Sequence, residues 1–338
     1  MSLRIALIGY GHWGPNYARI CSELSETELV AICEIDSRRL QRAKDRYSHL
    51  QTYSDVRELL KNNSVDAVII STPASTHYEL ARTFLESGRH ILLEKPMALE
   101  VEQCESLTDL AERKKKVLMV GHTFLYNASI RKMKEVVRCS EFGRVYYMHA
   151  TRTNLGPIRQ DVNALWDLAP HDISIFNYLL DQKPLWASAI GSRVLRNSND
   201  DVAFLTLGYS DGVIANIHVS WADPDKVREV VAVGSHRRVV CDDLNTLESV
   251  RIFEKGVSRG DPAPETSYGE FRLSVRDGDI LSPKIVPSEP LKEQLVDFVG
   301  AIREQRQPVS DAGVGTQVVR ALVAAEASMR LRGAPREV

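Results

Sequence analysis

The sequence lacks the features that mark disulfide-rich, membrane-spanning or nucleic-acid-binding proteins. Its 338 residues include five cysteines, which are scattered without a C-x-x-C pair. That pattern argues against a disulfide framework and against a cysteine zinc site, including the site of a zinc alcohol dehydrogenase. The formal net charge is −2, so we expect no bulk attraction to nucleic acid or to a membrane surface.

Long hydrophobic runs are also missing. No stretch approaches the roughly 20 apolar residues that a transmembrane helix needs, and the first apolar stretch, Leu3–Ile8, has the length of a strand. We therefore expect no secretory signal, no metal and a cytoplasmic location. A chain of this length suits two domains better than one.

What is present in the first ~120 residues is an alternation of short apolar runs with helical patterns. The predicted strands are Leu3–Ile8, Leu29–Cys33, Ala67–Ser71, His90–Leu93 and Val117–Val120. Continuous apolar strands are typical of a parallel sheet that is covered on both faces. We therefore predict a doubly wound Rossmann domain over residues 1–121, and the overall fold class is α/β.

After residue 121 the apolar runs alternate with polar residues. The predicted strands are Arg144–Thr153, Leu185–Val194, Val202–Tyr209, Val213–Trp221, Val227–Val233 and Arg238–Cys241. Ser210-Asp-Gly212 is typical of a hairpin turn, and Gly256–Pro290 is predicted to be irregular. Residues 122–338 are therefore predicted to form an α+β domain with a mainly antiparallel sheet and helices on one face.

A glycine motif follows the first predicted strand. Gly9, Gly11 and Gly14 form G-x-G-x-x-G between that strand and a helix start. The first glycine permits the tight turn, the second lets the backbone approach a pyrophosphate, and the third allows close helix packing. Free N–H groups at the helix start favour phosphate. The motif predicts a dinucleotide site, and the alternative is a glycine-rich turn without a ligand.

Two carboxylates follow the second predicted strand. Glu34 and Asp36 lie roughly 20 residues beyond the third glycine, where a carboxylate accepts hydrogen bonds from the adenosine ribose diol and repels a 2′-phosphate. This favours NAD over NADP. Arg38 and Arg39 lie nearby and weaken the preference, so NADP stays open. As an alternative, Asp36 caps the next helix.

The segment Glu94-Lys95-Pro96 ends another predicted strand. The carboxyl ends of strands in open α/β sheets face the ligand crevice. An ammonium there can donate to a substrate hydroxyl and stabilise the developing alkoxide, and Pro96 stiffens the turn. The alternative is that Lys95 is merely solvated.

Asp167 and His171 are four residues apart, which places them on one face of a predicted helix. Because Pro170 is tolerated only in a first turn, that helix is predicted to begin near Asp167 and to end near residue 180. A neutral imidazole oriented by a carboxylate suits a general base for a secondary alcohol. The alternatives are an N-cap at Asp167 and a satisfied, half-buried histidine at position 171.

Two further segments supply candidate ligand contacts. His122, Tyr126 and Asn127 follow the last strand of the predicted parallel sheet and could contact nicotinamide or substrate. The alternative for this segment is an interdomain hinge with a core aromatic residue.

Basic residues also precede the predicted catalytic helix. Arg152, Asn154 and Arg159 are candidate substrate contacts there, because two basic residues would suit a diphosphate. The alternative is a solvated loop.

The order of these motifs resembles the Gfo/Idh/MocA oxidoreductases, the glucose–fructose oxidoreductase and inositol dehydrogenase group. The resemblance covers essentially the whole chain, since Leu291–Phe298, Pro308–Asp311 and a final helix follow the motifs in the expected order. Ala169 departs from the glycine that many members carry. The segments around Trp166 and His122 are closer to members that act on nucleotide-linked or amino sugars.

The resemblance implies a Rossmann domain and an open-faced antiparallel sheet that forms dimer or tetramer contacts. It also implies bound NAD(H) or NADP(H), His171 as the acid/base, and Lys95 and Asp167 holding the reacting hydroxyl. The residues expected to bind the cofactor are Gly9, Gly11, His12, Trp13, Gly14, Glu34, Asp36, Thr72, Pro73, His77, Glu94 and Lys95. The residues expected to bind substrate are His122, Tyr126, Asn127, Arg152, Asn154 and Trp166.

We therefore expect an NAD(P)-dependent dehydrogenase, with NAD favoured, that interconverts a secondary alcohol and a ketone on a sugar, nucleotide-sugar or polyol. Its expected partners are that substrate and further copies of the chain, with no nucleic acid and no membrane. The alternatives are an NAD-using glycosidase with a transient redox step, an inositol or free-sugar dehydrogenase, and a non-catalytic NAD-binding sensor. A sensor would not need Lys95, Asp167 and His171 together.

Overall fold

The computed structural model describes residues 2–156, 158–159, 161–195, 198–259 and 273–338. They divide into two compact units. Unit 1 comprises Met1–Tyr126 and Glu289–Val323, and unit 2 comprises Asn127–Ser288 and Ala324–Val338. Of the segment that was predicted to be irregular, residues 260–272 lie outside the described part.

Unit 1 is built on a parallel sheet of six strands. These are β1 (Leu3–Ile8), β2 (Thr27–Cys33), β3 (Gln51–Tyr53), β4 (Ala67–Ile70), β5 (His90–Leu93) and β6 (Leu118–Val120). Their order is β3-β2-β1-β4-β5-β6, and every neighbouring pair is parallel. This is the strand order of a dinucleotide-binding Rossmann sheet, so the predicted architecture is confirmed. Strand β3 was missed because it is short and polar.

Unit 1 also contains α-helices that bury an apolar stripe against the sheet or against one another. They are α1 (Gly14–Glu23), α2 (Ser37–Arg46), α3 (Val56–Leu60), α4 (His77–Glu86), α5 (Val101–Lys114), α8 (Pro290–Glu304) and α9 (Ala312–Arg330), the last of which runs into unit 2. Asp36 and Asp55 cap α2 and α3 by accepting backbone N–H groups. Among the described helices, none combines the length and apolar character needed to cross a membrane.

Unit 2 contains a nine-stranded sheet in the order β16-β13-β12-β11-β7-β10-β9-β8-β17. Its strands are β7 (Val145–Thr153), β8 (Trp186–Ser192), β9 (Val202–Gly208), β10 (Ile214–Ser220), β11 (Val227–Gly234), β12 (Arg238–Asp242), β13 (Val250–Phe253), β16 (Ile280–Leu281) and β17 (Arg336–Glu337). Only β7 and β10 pair in parallel; the other neighbours are antiparallel. The mainly antiparallel sheet is thus confirmed. A separate pair is formed by β14 (Gly256–Arg259) and β15 (Leu273–Arg276).

Two helices pack on one face of this sheet, α6 (Ala128–Arg138) and α7 (Ala164–Leu180). Helix α7 begins one turn earlier than predicted, because Asn163 is its N-cap and accepts the backbone N–H of Trp166 at 3.0 Å. Pro170 therefore lies inside the helix. An interior proline costs about 3 kcal/mol, and burial of the helix offsets that cost, since Ile173 and Phe176 are completely buried.

A buried ion pair fixes α7 to β7. Arg152 donates from Nε and Nη2 to the two carboxylate oxygens of Asp172, at 2.9 and 2.8 Å. The side chains are only 6% and 1% exposed, so each charge depends on the other for compensation. Asp172 directly follows His171, and the pair therefore anchors the helix beside that histidine.

This pair predicts a specific stability pattern. Arg152→Met should lower the free energy of unfolding by about 3–5 kcal/mol, because it leaves the Asp172 charge buried and unpaired. Adding Asp172→Leu should recover most of that loss. Urea unfolding of the two single variants and the double variant measures the effect, and additive losses in the double variant would contradict it.

Candidate active site

The glycine loop has the geometry that its motif predicts. Gly9 has φ of +91°, and a Cβ there would lie 2.7 Å from the carbonyl oxygen of Ser71. A Cβ on Gly14 would lie 2.4 Å from the Gly9 oxygen, whereas the nearest atom to a Cβ on Gly11 is Arg39 Nη1 at 3.6 Å. Gly9 and Gly14 are therefore required by packing, and Gly11 leaves room for a ligand to approach the backbone.

The start of α1 is suited to a pyrophosphate. Its N-cap residue, Trp13, makes no side-chain capping bond, and the first turn carries no acidic residue. Trp13 is 41% exposed and packs edge-to-face on His12 with ring centroids 5.6 Å apart. Pro15 has no N–H, and the Asn16 N–H donates to the Trp13 carbonyl at 3.0 Å, so an anion would be favoured here chiefly by the positive end of the helix dipole. The cradle at Gly11 and the uncapped helix fit a dinucleotide.

Glu34 braces the loop from the second strand. Its carboxylate is 6% exposed and accepts the backbone N–H of Tyr10 at 2.7 Å and that of Asp36 at 2.9 Å. Each carboxylate oxygen retains lone pairs for a further donor. Glu34 therefore has a structural task that the sequence did not predict, in addition to its predicted contact with a ribose.

Asp36 is the N-cap of α2, which was the alternative considered for it. Its Oδ1 accepts the backbone N–H groups of Arg38 and Arg39 at 2.9 and 3.0 Å. These hydrogen bonds lower the pKa of Asp36, with the bond from Arg39 as the largest cause. Asp36 is exposed, so a cofactor role for it stays a prediction.

His77 connects two loops at the carboxyl ends of β4 and β5. It is 1% exposed, and its Nδ1 lies 2.7 Å from the oxygen of Pro96 and its Nε2 lies 2.9 Å from the oxygen of Thr72. A carbonyl only accepts, so a neutral ring donates to one loop and a protonated ring donates to both. Thr72, Pro73 and His77, all predicted to bind the cofactor, thus belong to one connected loop region.

Lys95 follows β5 and is partly exposed, between two buried neighbours. The preceding Glu94 is 8% exposed and accepts the Tyr17 hydroxyl at 2.7 Å and the backbone N–H of Lys95 at 3.2 Å. The Lys95–Pro96 peptide bond is cis. Lys95 therefore lies at the carboxyl end of an inner strand of the sheet, and its backbone N–H is held by the Glu94 carboxylate.

His122 lies beside this motif, at the end of β6. It is 1% exposed, and neither ring nitrogen has a hydrogen-bond partner among the described residues. Burial, together with the positive charge of Lys95, lowers the pKa of His122 to about 3, so its ring is neutral at working pH. A buried imidazole without partners costs free energy, and this fits a group that receives its partner from a ligand.

The two candidates after His122 have different surroundings. Tyr126 is completely buried and donates to Asp297 at 2.8 Å. In unit 2, Asn127 caps α6 by accepting the N–H of Ser129 and donates to Asp243 at 2.8 Å. Their substrate contacts stay predictions, and both side chains have structural partners.

In unit 2, both oxygens of Asp167 accept hydrogen bonds. Oδ1 receives Arg159 Nη1 at 3.0 Å and Oδ2 receives the indole N–H of Trp221 at 3.3 Å. Because Asn163 caps the helix, Asp167 is not the N-cap that was considered as its alternative. It stands one turn before His171 on α7, where a fixed carboxylate can orient the imidazole or the substrate.

The remaining candidates of unit 2 are engaged within that unit. Arg159 also pairs with Asp161, and the Trp166 indole donates to Glu326 at 3.2 Å. The Asn154 side chain donates to the Gly156 carbonyl, and Arg152 is bound to Asp172, as described above. Trp221, which directly follows β10, was not among the predicted site residues, because no local sequence pattern indicates its contact with Asp167.

Comparison with known proteins agrees with this geometry. Residues 3–122 match the oxidoreductase family with an NAD-binding Rossmann fold, and residues 130–240 match the Gfo/Idh/MocA C-terminal domain. The chain belongs to the Gfo/Idh/MocA oxidoreductase family. It is an NAD-binding enzyme of that family, and its curated relatives include named dehydrogenases that act on CH–OH groups.

Two curated relatives illustrate the range of substrates named among similar proteins. A UDP-N-acetylglucosamine 3-dehydrogenase of Acidithiobacillus ferrooxidans is 26% identical, with 94% of this chain and 95% of the relative covered. A myo-inositol 2-dehydrogenase of Thermotoga maritima is 24% identical, with 75% and 79% covered.

Solved structures agree in fold. The structure of the Acidithiobacillus ferrooxidans enzyme covers 98% of this chain and 99% of its own, with a TM-score of 0.81 and 25% identity. GenD2 from gentamicin A biosynthesis, solved in complex with NAD, covers 100% and 96% with a TM-score of 0.83. At 21% identity, the second likeness concerns the fold alone.

That the Gly9–Gly14 loop and the start of α1 hold NAD, with Glu34 at the adenosine end, stays a prediction. Exchanging Glu34 and Asp36 one at a time for serine distinguishes the roles of the two carboxylates. Glu34→Ser should relax discrimination against NADP and also destabilise the protein by about 1–3 kcal/mol, because it unpairs two backbone N–H groups. Asp36→Ser should preserve stability, since serine also caps helices.

The measurements are the ratio of NADP to NAD affinity and the thermal midpoint of each variant. A ratio that changes only in Asp36→Ser would move the ribose contact from Glu34 to Asp36. A Glu34→Ser variant with wild-type stability would contradict the bracing role.

Proposed function

We propose that this enzyme reversibly oxidises a secondary alcohol of a sugar, nucleotide-sugar or polyol to a ketone, using NAD. The proposal depends on one observation: in a chain of this family, Lys95 directly follows the carboxyl end of β5, and its backbone N–H is held by Glu94. His122, buried without a described partner beside that lysine, supports a ligand at the same strand ends.

Each proposed catalytic residue has one task. His171 accepts the hydroxyl proton, as a histidine suits proton transfer near neutral pH. The Lys95 ammonium donates to the reacting oxygen and stabilises its developing negative charge. Asp167, whose two oxygens already accept hydrogen bonds, orients His171 or the substrate. NAD, when bound, accepts the hydride.

The surroundings of the two arginines bear on the substrate class. Arg152 is paired with Asp172, and Arg159 with Asp161 and Asp167. Neither has the free positive charge that was expected to bind a diphosphate. Recognition through neutral hydroxyl groups is therefore favoured, and a comparison of free sugars, inositols and nucleotide sugars as substrates tests it.

An NAD-using glycosidase is the second candidate. The same lysine and histidine could support transient oxidation of a sugar ring during cleavage of a glycosidic bond. Release of a sugar from a glycoside without net formation of NADH would identify that reaction.

We further propose that the chain forms homo-oligomers through the sheet of unit 2. On β7, β10, β9 and β8 the residues of one face carry no charge; they are Tyr147, His149, Thr151, Ile214, Asn216, His218, Phe204, Thr206, Ser188 and Ile190. Phe204 and Ile190 are 50% and 59% exposed and stand on neighbouring strands. An uncharged face with exposed apolar side chains is typical of an interface.

His171→Ala tests the proton acceptor. We expect turnover to fall by about 10²-fold or more, the usual scale for general acid–base catalysis, while NADH affinity stays near the wild-type value. His49→Ala, which removes an exposed histidine of unit 1, is the control. Unchanged turnover in His171→Ala would remove the histidine from the mechanism.

Phe204→Glu tests the oligomer. A carboxylate in the middle of this uncharged face should weaken self-association by about tenfold or more, because an unpaired charge would be buried at the interface. Sedimentation velocity over a range of concentrations measures it, with Val286→Glu, an exposed residue off this sheet, as the control. Equal association of both variants would contradict the proposed interface.

A further inference from the structure

A chain of hydrogen-bonded polar side chains runs through unit 1 to Glu94, the residue before Lys95, and three of its four members are buried. Thr123 donates to Gln294 Oε1 at 2.6 Å, and Gln294 Nε2 donates to the Tyr17 hydroxyl at 3.4 Å. Tyr17 donates to Glu94 Oε1 at 2.7 Å. The four residues come from distant parts of the sequence. Each one donates to the next, and the last donor, Tyr17, bonds to the Glu94 carboxylate.

Burial makes the direction of this chain definite. Tyr17 and Gln294 have no exposed surface, and Glu94 is 8% exposed. Burial, followed by the nearby Glu94 charge, raises the pKa of Tyr17 well above its ordinary value. The hydroxyl therefore keeps its proton and serves as the donor. A buried carboxylate needs such donors, because an uncompensated one is costly.

The Glu94 carboxylate is confined on its other sides as well. Its Oε2 accepts the Lys95 backbone N–H at 3.2 Å. A Cβ on Gly121 would lie 3.3 Å from Glu94 Cα, Cδ and Oε2, so the side chain lies flat against the end of β6. On the far side of the lysine, the Pro96 carbonyl is held by His77 at 2.7 Å.

We propose that Tyr17 is a positioning residue for Lys95, acting through the Glu94 carboxylate that holds the lysine's backbone N–H. This inference rests on the proposed function of Lys95. Tyr17 does not touch the reacting oxygen in this account. It fixes the carboxylate that determines where the lysine side chain begins, and small displacements of a catalytic group have large effects on rate.

Tyr17→Phe is the test, because it removes one oxygen and keeps the packed ring. We expect turnover to fall about tenfold, with NADH affinity from fluorescence titration within about threefold of wild type. Tyr209→Phe is the control, a buried tyrosine of unit 2 that donates to Asn177 at 2.8 Å.

A double-mutant cycle with Lys95→Met shows whether Tyr17 acts through the lysine. In the Lys95→Met background, Tyr17→Phe should leave the residual rate unchanged within about twofold. A full tenfold loss in that background, or equal behaviour of Tyr17→Phe and Tyr209→Phe, would overturn the proposal. Full turnover in Lys95→Met would instead overturn the proposed function.

A second variant covers the case in which Tyr17→Phe does not fold. Thr123→Val changes the partly exposed far end of the chain and keeps the shape of the side chain. It should reduce turnover about twofold to threefold, with NADH affinity unchanged. Wild-type turnover would overturn the proposal.

Discussion

Glu94 is a carboxylate that folding removes almost entirely from water, and it can stay charged there only if donors surround it. The Tyr17 hydroxyl and the Lys95 backbone N–H supply two of them. Tyr17 belongs to α1, the helix that begins at the glycine loop, whereas Glu94 ends β5. One buried hydrogen bond therefore links the element that suits a pyrophosphate to the residue that precedes the proposed catalytic lysine.

Much of the fold could be predicted because its signals are local. Strands β1 and β5 coincide with their predicted bounds, since a parallel sheet covered on both faces selects continuous apolar runs. β3 and β17 could not be predicted, because short polar strands form only when a neighbouring strand offers its edge. Helix α7 begins earlier than its sequence predicts. The capping bond of Asn163 and the burial of the helix outweigh the preference of Pro170 for a first turn.

The candidate site likewise contains some residues that the sequence predicts and some contacts that it does not. The glycines, Lys95 and the Asp167–His171 pair carry sequence signals, because their chemistry requires fixed spacing. The bracing bonds of Glu34, the pairing of Arg152 with Asp172, and the contact of Trp221 with Asp167 join residues that are distant along the chain. A sequence does not show which charged side chains pair with each other. Arg152 was therefore predicted to contact a ligand, although its partner is Asp172. The structure shows which charged groups are already paired. It also shows that the ring nitrogens of His122 have no hydrogen-bond partner among the described residues.

Net NADH formation tests most directly whether the enzyme oxidises a secondary alcohol with the help of Lys95. It is measured with a panel that includes free sugars, myo-inositol and UDP-N-acetylglucosamine. The measurement is made with the wild-type enzyme and with Lys95→Met, and NADH binding is measured for both. We predict NADH formation from at least one secondary alcohol, and a loss of about 10²-fold or more in Lys95→Met, with NADH still bound. Equal rates in the two proteins, or sugar release without any net NADH, would contradict it.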